Sequence, residues 1–100
     1  MPRKKAFLGA AWSRRWDKSY ANLSHDRQKS ADKVAIALIK QEFTPGMRVK
    51  PIEPEKYYNE ARINEGDRLI FRIEADTIWF VDVVTHDDIG RYGKKIADLF

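Results

Sequence analysis

The sequence predicts an α+β fold, in which an N-terminal hairpin of two helices packs on a twisted antiparallel sheet of about four strands. Apolar residues recur with helical spacing only in the first half of the chain, before Pro45-Gly46. In the second half they alternate with polar residues or form short apolar runs, as in strands. Because the helical patterns come first and the strand patterns follow, the two kinds of element are segregated along the chain.

The composition indicates one folded domain, residues 1–100, with a single modest core. The apolar share of 43% argues against a disordered chain. The absence of cysteine excludes a disulfide framework and a cysteine-ligated metal site. A net charge of +4 favours a polyanionic partner, either nucleic acid or an acidic protein. We find no signal-peptide core and no run long enough for a membrane span, so we expect a cytoplasmic chain without a membrane partner.

The first half of the chain predicts two helices joined by a short link. The apolar run Phe7 to Trp12 fits either a first strand or the start of a helix, because so few residues show no period. A helical pattern begins at Ser13, with one apolar face formed by Trp16, Tyr20 and Leu23. Ser24 is a good N-cap for a second helix, which Pro45-Gly46 is expected to end.

The second half predicts a meander of three strands between Tyr57 and Tyr92. In the run from Arg68 to Ala75, Leu69, Phe71 and Ile73 alternate with Arg68, Ile70, Arg72 and Glu74, so the two sets lie on opposite faces of a strand. The more apolar run Thr77 to Val84 suits a central strand that is covered on both faces.

Turns and flanking segments complete the predicted sheet. Asn64-Glu65-Gly66-Asp67 and Ala75-Asp76 supply turn residues between the strands. Met47 to Ile52 is expected as an edge strand, since Pro51 suits an edge better than a sheet centre. The residues from Ile96 to Phe100 are expected to form a short helix or an apolar tail.

Basic side chains recur along the predicted strands and form the first candidate site. They are Arg48, Lys50, Arg62, Arg68 and Arg72, followed by Arg91, Lys94 and Lys95. If several of them share one face, they form a concave basic surface that holds phosphates. The alternative is a solvated outer face whose charge is balanced by Glu60, Glu65, Glu74 and Asp82.

The second candidate site is Thr85-His86-Asp87-Asp88 together with Tyr92. His86 follows the long apolar strand, where side chains are held firmly and still reach solvent. A histidine beside arginines has the chemistry for acid–base work on a phosphodiester. One histidine next to two carboxylates also suggests a metal, but the ligand spacing is poor, and we expect no metal and no other cofactor.

The stretch from Glu60 to Tyr92 resembles the second half of the RelE/ParE toxin superfamily. The matching features are an Arg-hydrophobic-Asn sequence in one strand, an arginine that opens the next strand, a long apolar strand, a histidine and a late tyrosine. Here these are Arg62-Ile63-Asn64, Arg68, Ile78 to Val84, His86 and Tyr92. The preceding helical hairpin, Pro45-Gly46 and the Arg48/Lys50 strand also fit this family.

The resemblance implies a small α+β fold and, for RelE-like members, an mRNA endonuclease that works in the ribosomal A site. It implies cleavage by attack of the ribose 2′-OH on the adjacent phosphate without a metal, and silencing by a cognate antitoxin protein. For ParE-like members it implies instead an inhibitor of DNA gyrase that lacks the catalytic set. The expected partners are therefore an antitoxin, and the ribosome with its mRNA.

The resemblance also assigns roles to single residues. Arg68 matches the sheet arginine that stabilises the charged phosphate, and His86 the residue that acts on the leaving group or on phosphate charge. Tyr92 matches the aromatic that orients the 2′-OH or stacks on a base, and Arg62 the basic residue of the preceding strand. Further substrate contacts are expected from Lys50, Arg48, Arg72 and Lys94.

One departure keeps a second hypothesis open. Asp87 and Asp88 place two negative charges beside a site meant to hold RNA. They favour a binding protein, either a gyrase inhibitor or a catalytically inactive relative. The pairs His86/Tyr92 and Arg62/Arg68 favour the ribonuclease.

Overall fold

The computed structural model describes residues 7–97 and residue 99, and it confirms the α+β class. Two α-helices are present, α1 (Arg14–Ala21) and α2 (His25–Ile39). The strands are β1 (Gly9–Trp12), β2 (Lys50–Pro51), β3 (Asn59–Arg62), β4 (Asp67–Glu74) and β5 (Thr77–Thr85). Short 3-10 helices form at Pro45–Met47 and His86–Gly93. Neither α-helix of this described part is long and apolar enough to cross a membrane.

The five strands form one mixed sheet in the order β1-β5-β4-β3-β2. The meander β3-β4-β5 is antiparallel, as predicted, and the edge strand predicted for Met47 to Ile52 is confined to Lys50–Pro51, because Met47 belongs to a 3-10 helix. The expectation of a purely antiparallel sheet of about four strands was incomplete, because β1 pairs in parallel with β5. Its four residues show no period of their own, and their pairing depends on a partner almost seventy positions along the chain, Gly9 lying opposite Thr77.

Both α-helices begin at serine caps. The Ser13 hydroxyl accepts a hydrogen bond from the Trp16 amide, and the Ser24 hydroxyl accepts one from the Arg27 amide. The prediction that Pro45-Gly46 ends α2 was wrong. The helix ends at Ile39, followed by a Schellman motif in which Gln41 adopts a positive φ of 60°. A glutamine at that position gives no sequence signal, because glycine is the residue that marks such an ending.

The sheet separates two apolar cores. On one side, which we call the helix face, Leu69, Phe71, Phe80 and Val83 pack against Trp16 and Leu38 of the helices. On the other side, the C-terminal face, Ile70, Val81 and Val84 pack under Tyr58, Tyr92 and Leu99. The alternation predicted for β4 and the two buried faces predicted for β5 are confirmed for these residues.

The chain after β5 covers the C-terminal face. The polar run that begins at His86 forms a 3-10 helix, which the sequence did not predict. Within the described residues, Ile96 and Ala97 are not helical and Leu99 is buried, so this part matches the apolar-tail alternative. Phe100, which belonged to the same prediction, lies outside the described residues.

Candidate functional site

The turn between β3 and β4 is the centre of the candidate site. The Asn64 side-chain oxygen accepts hydrogen bonds from the backbone amides of Gly66 at 2.9 Å and Asp67 at 2.8 Å. This is an Asx-type turn, in which a short polar side chain replaces a backbone acceptor. The His86 amide donates to the Gly66 carbonyl at 2.9 Å, so the start of the 3-10 helix is tied to the same turn.

Arg68 is fixed to this turn through one nitrogen only. Its Nη1 donates to the carbonyl oxygens of Asn64 at 2.7 Å, Asp67 at 3.0 Å and Glu65 at 3.1 Å. Its Nε and Nη2 donate to no atom of the described residues. These two nitrogens form the planar edge with which arginine binds a carboxylate or phosphate in bidentate fashion. The guanidinium is therefore held in place while one binding edge stays available.

Arg62 lies directly across from Arg68 in the β3–β4 ladder. Like charges in such a cross-strand pair destabilise a sheet. Within the part of the chain that the structure describes, the Arg62 side chain makes no ion pair and no hydrogen bond. The half-buried pair of arginines on the C-terminal face thus has a charge that an anion would neutralise. Among the described residues no salt bridge from Glu74 or Asp82 balances the charge of Arg68, since Glu74 lies near Arg72 and Asp82 accepts from Tyr92.

His86 lies beside the same turn but on its other side. It is exposed and lines an open cavity of about 540 Å³. The other lining residues are Arg27, Asn64, Gly66, Asp67, Thr85 and Asp87. No side-chain hydrogen bond or ion pair joins His86 to Arg62 or Arg68 among the described residues. The turn therefore carries basic side chains on the C-terminal face, and the exposed His86 imidazole lies beside it.

Asp67 is a member of this site that sequence reasoning treated only as a turn residue. Its buried carboxylate accepts two hydrogen bonds from Arg27, Nη2 to Oδ1 at 2.7 Å and Nε to Oδ2 at 3.0 Å, and one from Asn64 at 2.9 Å. The hydrogen bonds from Arg27 hold the pKa of Asp67 below its usual value, although burial acts in the opposite direction. Asp67 is accordingly an ionised anchor that ties α2 to β4. Arg27 is 40 residues away in sequence, so no local pattern could reveal this pair.

Tyr92 is not brought together with these residues. Its side chain is fully buried on the C-terminal face, and its hydroxyl donates to the Asp82 carboxylate. Burial and the bond to Asp82 raise its pKa far above the ordinary value for tyrosine. In this conformation the ring cannot stack on a base, and the hydroxyl cannot contact a ribose.

The four predicted substrate-binding residues are dispersed. Arg72 stacks on the Tyr57 ring with its Cζ 3.8 Å from the ring centroid, and its Nε lies 3.5 Å from Glu74. Lys50 is exposed on the edge strand opposite Glu60. Arg48 is exposed at the end of the first 3-10 helix, and Lys94 is exposed just after the second. None of them contacts Arg62, Arg68 or His86 through a hydrogen bond of the described residues.

The structure offers no obvious metal centre in the described part of the chain. Among residues 7–97 and residue 99, no group of three histidine, aspartate or glutamate residues is arranged to hold an ion. His86 and Asp87 share a cavity, whereas the Asp88 carboxylate accepts a hydrogen bond from the Thr85 hydroxyl at 3.2 Å.

The combination of two helices, a mixed five-stranded sheet and a trailing segment after the last long strand is also the fold of several solved toxins. Neither a protein-family model nor a curated protein matches the sequence. Among solved structures, YafQ from E. coli superposes with a TM-score of 0.70 at 16% identity, covering 82% of this chain and 97% of that chain.

Two further structures show the same fold. The toxin–antitoxin complex RelBE2 from Mycobacterium tuberculosis gives a TM-score of 0.64 at 18% identity, covering 80% of this chain and 99% of that chain. A YoeB/ParE toxin from Agrobacterium tumefaciens gives 0.68 at 12% identity, covering 79% and 99% of the two chains.

Proposed function

We propose that this chain is the toxin of a type II toxin–antitoxin system and that it cleaves mRNA on the ribosome, as a RelE-like mRNA interferase. The toxin role is supported by the fold that it shares with YafQ and with a YoeB/ParE toxin. The nuclease role is supported chiefly by Arg68, whose guanidinium is fixed at Nη1 and open at Nε and Nη2. Arg62 directly opposite adds a second cation for the same phosphate.

The proposed reaction uses the substrate's own nucleophile. The ribose 2′-oxygen attacks the adjacent phosphorus, the P–O5′ bond breaks, and the products are a 2′,3′-cyclic phosphate and a 5′-hydroxyl. Arg62 and Arg68 stabilise the extra negative charge on the phosphorane-like transition state, an effect for which a single donor contributes about a hundredfold to a thousandfold in rate. His86 takes the proton from the 2′-OH or gives one to the leaving 5′-oxygen, because an imidazole nitrogen can accept or donate a proton.

An antitoxin is the second proposed partner. The structures of DinJ-YafQ and RelBE2 are toxin–antitoxin complexes with chains of this fold. The net charge of +4 and the unpaired edge of Arg68 suit an acidic or amphipathic antitoxin segment that covers the basic side chains at the β3–β4 turn. A pull-down from the native host that recovers no small acidic partner would count against this assignment.

Induced expression in bacteria tests the nuclease. We would compare the wild type with Arg68→Ala and His86→Ala, using Lys29→Ala on the exposed surface of α2 as the charge control. Primer extension on a translated message reports the cuts. Growth arrest with cuts inside codons, lost in both site variants and kept in the control, supports the proposal. Absence of growth arrest would remove the catalytic assignments.

A gyrase inhibitor or an inactive binding protein is the second candidate function. The observation in its favour is the burial of Tyr92, which leaves the expected catalytic set incomplete at the turn. The same experiment separates the two candidates, because gyrase poisoning gives growth arrest with DNA-damage signalling and without cuts in mRNA.

A further inference from the structure

A second basic cavity lies between α1 and the segment that follows β5. It has a volume of about 510 Å³, and four cations line it: Arg14, Arg15, Lys18 and Arg91. We call it the α1 cavity. It is separate from the Arg62/Arg68 pair, and three of its four cations come from a helix to which the sequence assigned no function.

The positive charge of the α1 cavity is not balanced by the described residues around it. The one carboxylate among the described lining residues is Asp82, which is 2% exposed and already accepts hydrogen bonds from Tyr92 and from the Val83 amide. Asp17, the acidic residue of α1, lines a different cavity together with Trp12 and Tyr20. The described lining residues therefore give these cations no acidic partner.

The arrangement of these cations is unfavourable for the helix itself. Arg14 and Lys18 are four residues apart on α1, and like charges at that spacing destabilise a helix. Arg14 and Arg15 also lie in the first turn, where positive charge opposes the helix dipole. A bound anion would relieve both effects.

Arg15 connects the cavity to the buried polar pair beneath it. Burial raises the pKa of Tyr92, and the nearby positive charge of Arg15 acts in the opposite direction because it favours the ionised phenol. All four cations are exposed side chains that line the cavity.

We propose that the α1 cavity binds a backbone phosphate of the same RNA strand whose scissile phosphate lies at Arg62 and Arg68. This inference rests on the proposed function and adds a second binding point to it. Arg91 belongs to the 3-10 helix that begins at His86, and Asp82 lies two residues before Val84, which is opposite Arg68. A flexible RNA strand can direct its phosphates toward cations that line a cavity. A rigid protein helix fits such a cavity less well.

The test is the salt dependence of RNA binding. The probe is a fluorescent single-stranded RNA with 2′-O-methyl groups, which cannot be cleaved through the 2′-OH. Its affinity is measured by anisotropy at several salt concentrations for the wild type and for Arg14→Gln/Lys18→Gln. The matched control is Lys29→Gln/Lys33→Gln, which removes two exposed charges from α2. The association constant falls as salt rises, and in the cavity variant this dependence should be weaker. The magnitude of the slope of log K against log salt should decrease by about 0.7 for each phosphate that the protein no longer neutralises.

Each outcome decides for or against the cavity. A slope and an affinity equal to those of the control variant would overturn the proposal, as would a wild type that does not bind the RNA. A cavity variant that keeps RNA binding but loses binding to poly-glutamate would assign the cavity to an acidic protein segment instead.

Measuring mRNA cleavage on programmed ribosomes at increasing toxin concentration distinguishes a failure of the cavity proposal from a failure of the nuclease proposal. The cavity variant should need a higher toxin concentration and reach the wild-type rate at saturation, whereas Arg68→Ala should stay slow at saturation. A further outcome is that the wild type does not cleave, while RNA binding by the cavity variant still depends less on salt than binding by the wild type. In that case the nuclease proposal fails and the phosphate site stands. Unchanged thermal unfolding of both double variants establishes that the fold is intact.

Discussion

The two faces of the sheet are built from different chemistry. On the helix face, Trp16, Leu38 and Phe80 form a core of apolar side chains under two capped helices. On the C-terminal face, the buried residues include the Tyr92–Asp82 hydrogen bond, and the half-buried Arg62 and Arg68 lie near its edge. We therefore expect the helix face, which buries the larger apolar cluster, to supply most of the stability, while the C-terminal face holds the groups proposed for function.

The chain segments that pack over the two faces of the sheet also differ in how their backbones are hydrogen-bonded. The helix face is covered by α-helices, whose backbone groups bond to one another. The C-terminal face is covered by a 3-10 helix and an irregular segment, held by single bonds such as the Ile96 amide to the Tyr58 hydroxyl at 3.0 Å and the Lys95 amide to Glu55 at 2.7 Å. Segments of this kind open locally at lower free energy than packed helices.

The largest loss of stability is expected on the helix face. Replacing Phe80, which is fully buried between Trp12 and Trp16, by alanine should lower the free energy of unfolding by about 3–5 kcal/mol, because it leaves a cavity in the core. Denaturant unfolding monitored by circular dichroism measures the change. Phe80→Leu, which fills most of the space, should lose much less. A loss below about 1 kcal/mol for the alanine variant would contradict the assignment of most of the stability to this face.

A smaller loss is expected at the ion pair that joins the helices to the sheet. Arg27→Gln removes the bidentate partner of the buried Asp67 carboxylate and should cost about 1.5–3 kcal/mol at neutral pH. Because the folded-state pKa of Asp67 lies below the unfolded value of 3.8, its contribution is present above about pH 4 and is lost as the pH falls through the folded pKa. Between about pH 7 and pH 2, the free energy of unfolding should therefore decrease less steeply with falling pH for Arg27→Gln than for the wild type. Lys29→Gln should show the same pH dependence as the wild type.

The next prediction concerns the hydrogen bond between Tyr92 and Asp82 on the C-terminal face. Tyr92→Phe removes the hydroxyl that donates to Asp82 and should cost about 1–3 kcal/mol. We expect cleavage per folded molecule to be unchanged, because the ring is buried away from the turn. Cleavage on ribosomes and denaturant unfolding are measured on the same samples. Lost cleavage with unchanged stability would restore the catalytic role that the family resemblance gave to Tyr92.

The smallest effect on stability is expected at Arg62. Arg62→Gln removes a side chain without an ion pair in the described residues and relieves repulsion from Arg68, so the free energy of unfolding should change by less than about 0.5 kcal/mol. The cleavage rate should nevertheless fall by about a hundredfold to a thousandfold if the pair binds the scissile phosphate. A variant with wild-type cleavage would separate Arg62 from the site.

Local patterns were enough for the features that depend on near neighbours. The N-cap at Ser24, the alternation in β4 and the two buried faces of β5 follow from propensity and period. The pairing of β1 with β5 and the bridge from Arg27 to Asp67 could not be predicted, because each joins residues far apart in sequence.

In the candidate site, too, the features that depend on near neighbours in sequence were predicted and the others were missed. Arg62 and Arg68 were predicted as neighbours and are opposite each other, since one tight turn fixes their register. The burial of Tyr92 was missed, because the polar run before it gave no sign of a 3-10 helix that folds back over the sheet. The cavity beside α1 was missed because it joins two elements that are distant in sequence.

The parallel pairing of β1 with β5 delays completion of the sheet while the protein is being made. Gly9 to Trp12 are made well before their partners Thr77 to Phe80, because almost seventy positions separate the two strands in sequence. During synthesis the first strand has no neighbour, and the Ser13 cap lacks the Val81 carbonyl to which its hydroxyl donates. The described sheet closes only after β5 has been made, so a nascent chain that has not reached Thr85 cannot present the finished fold.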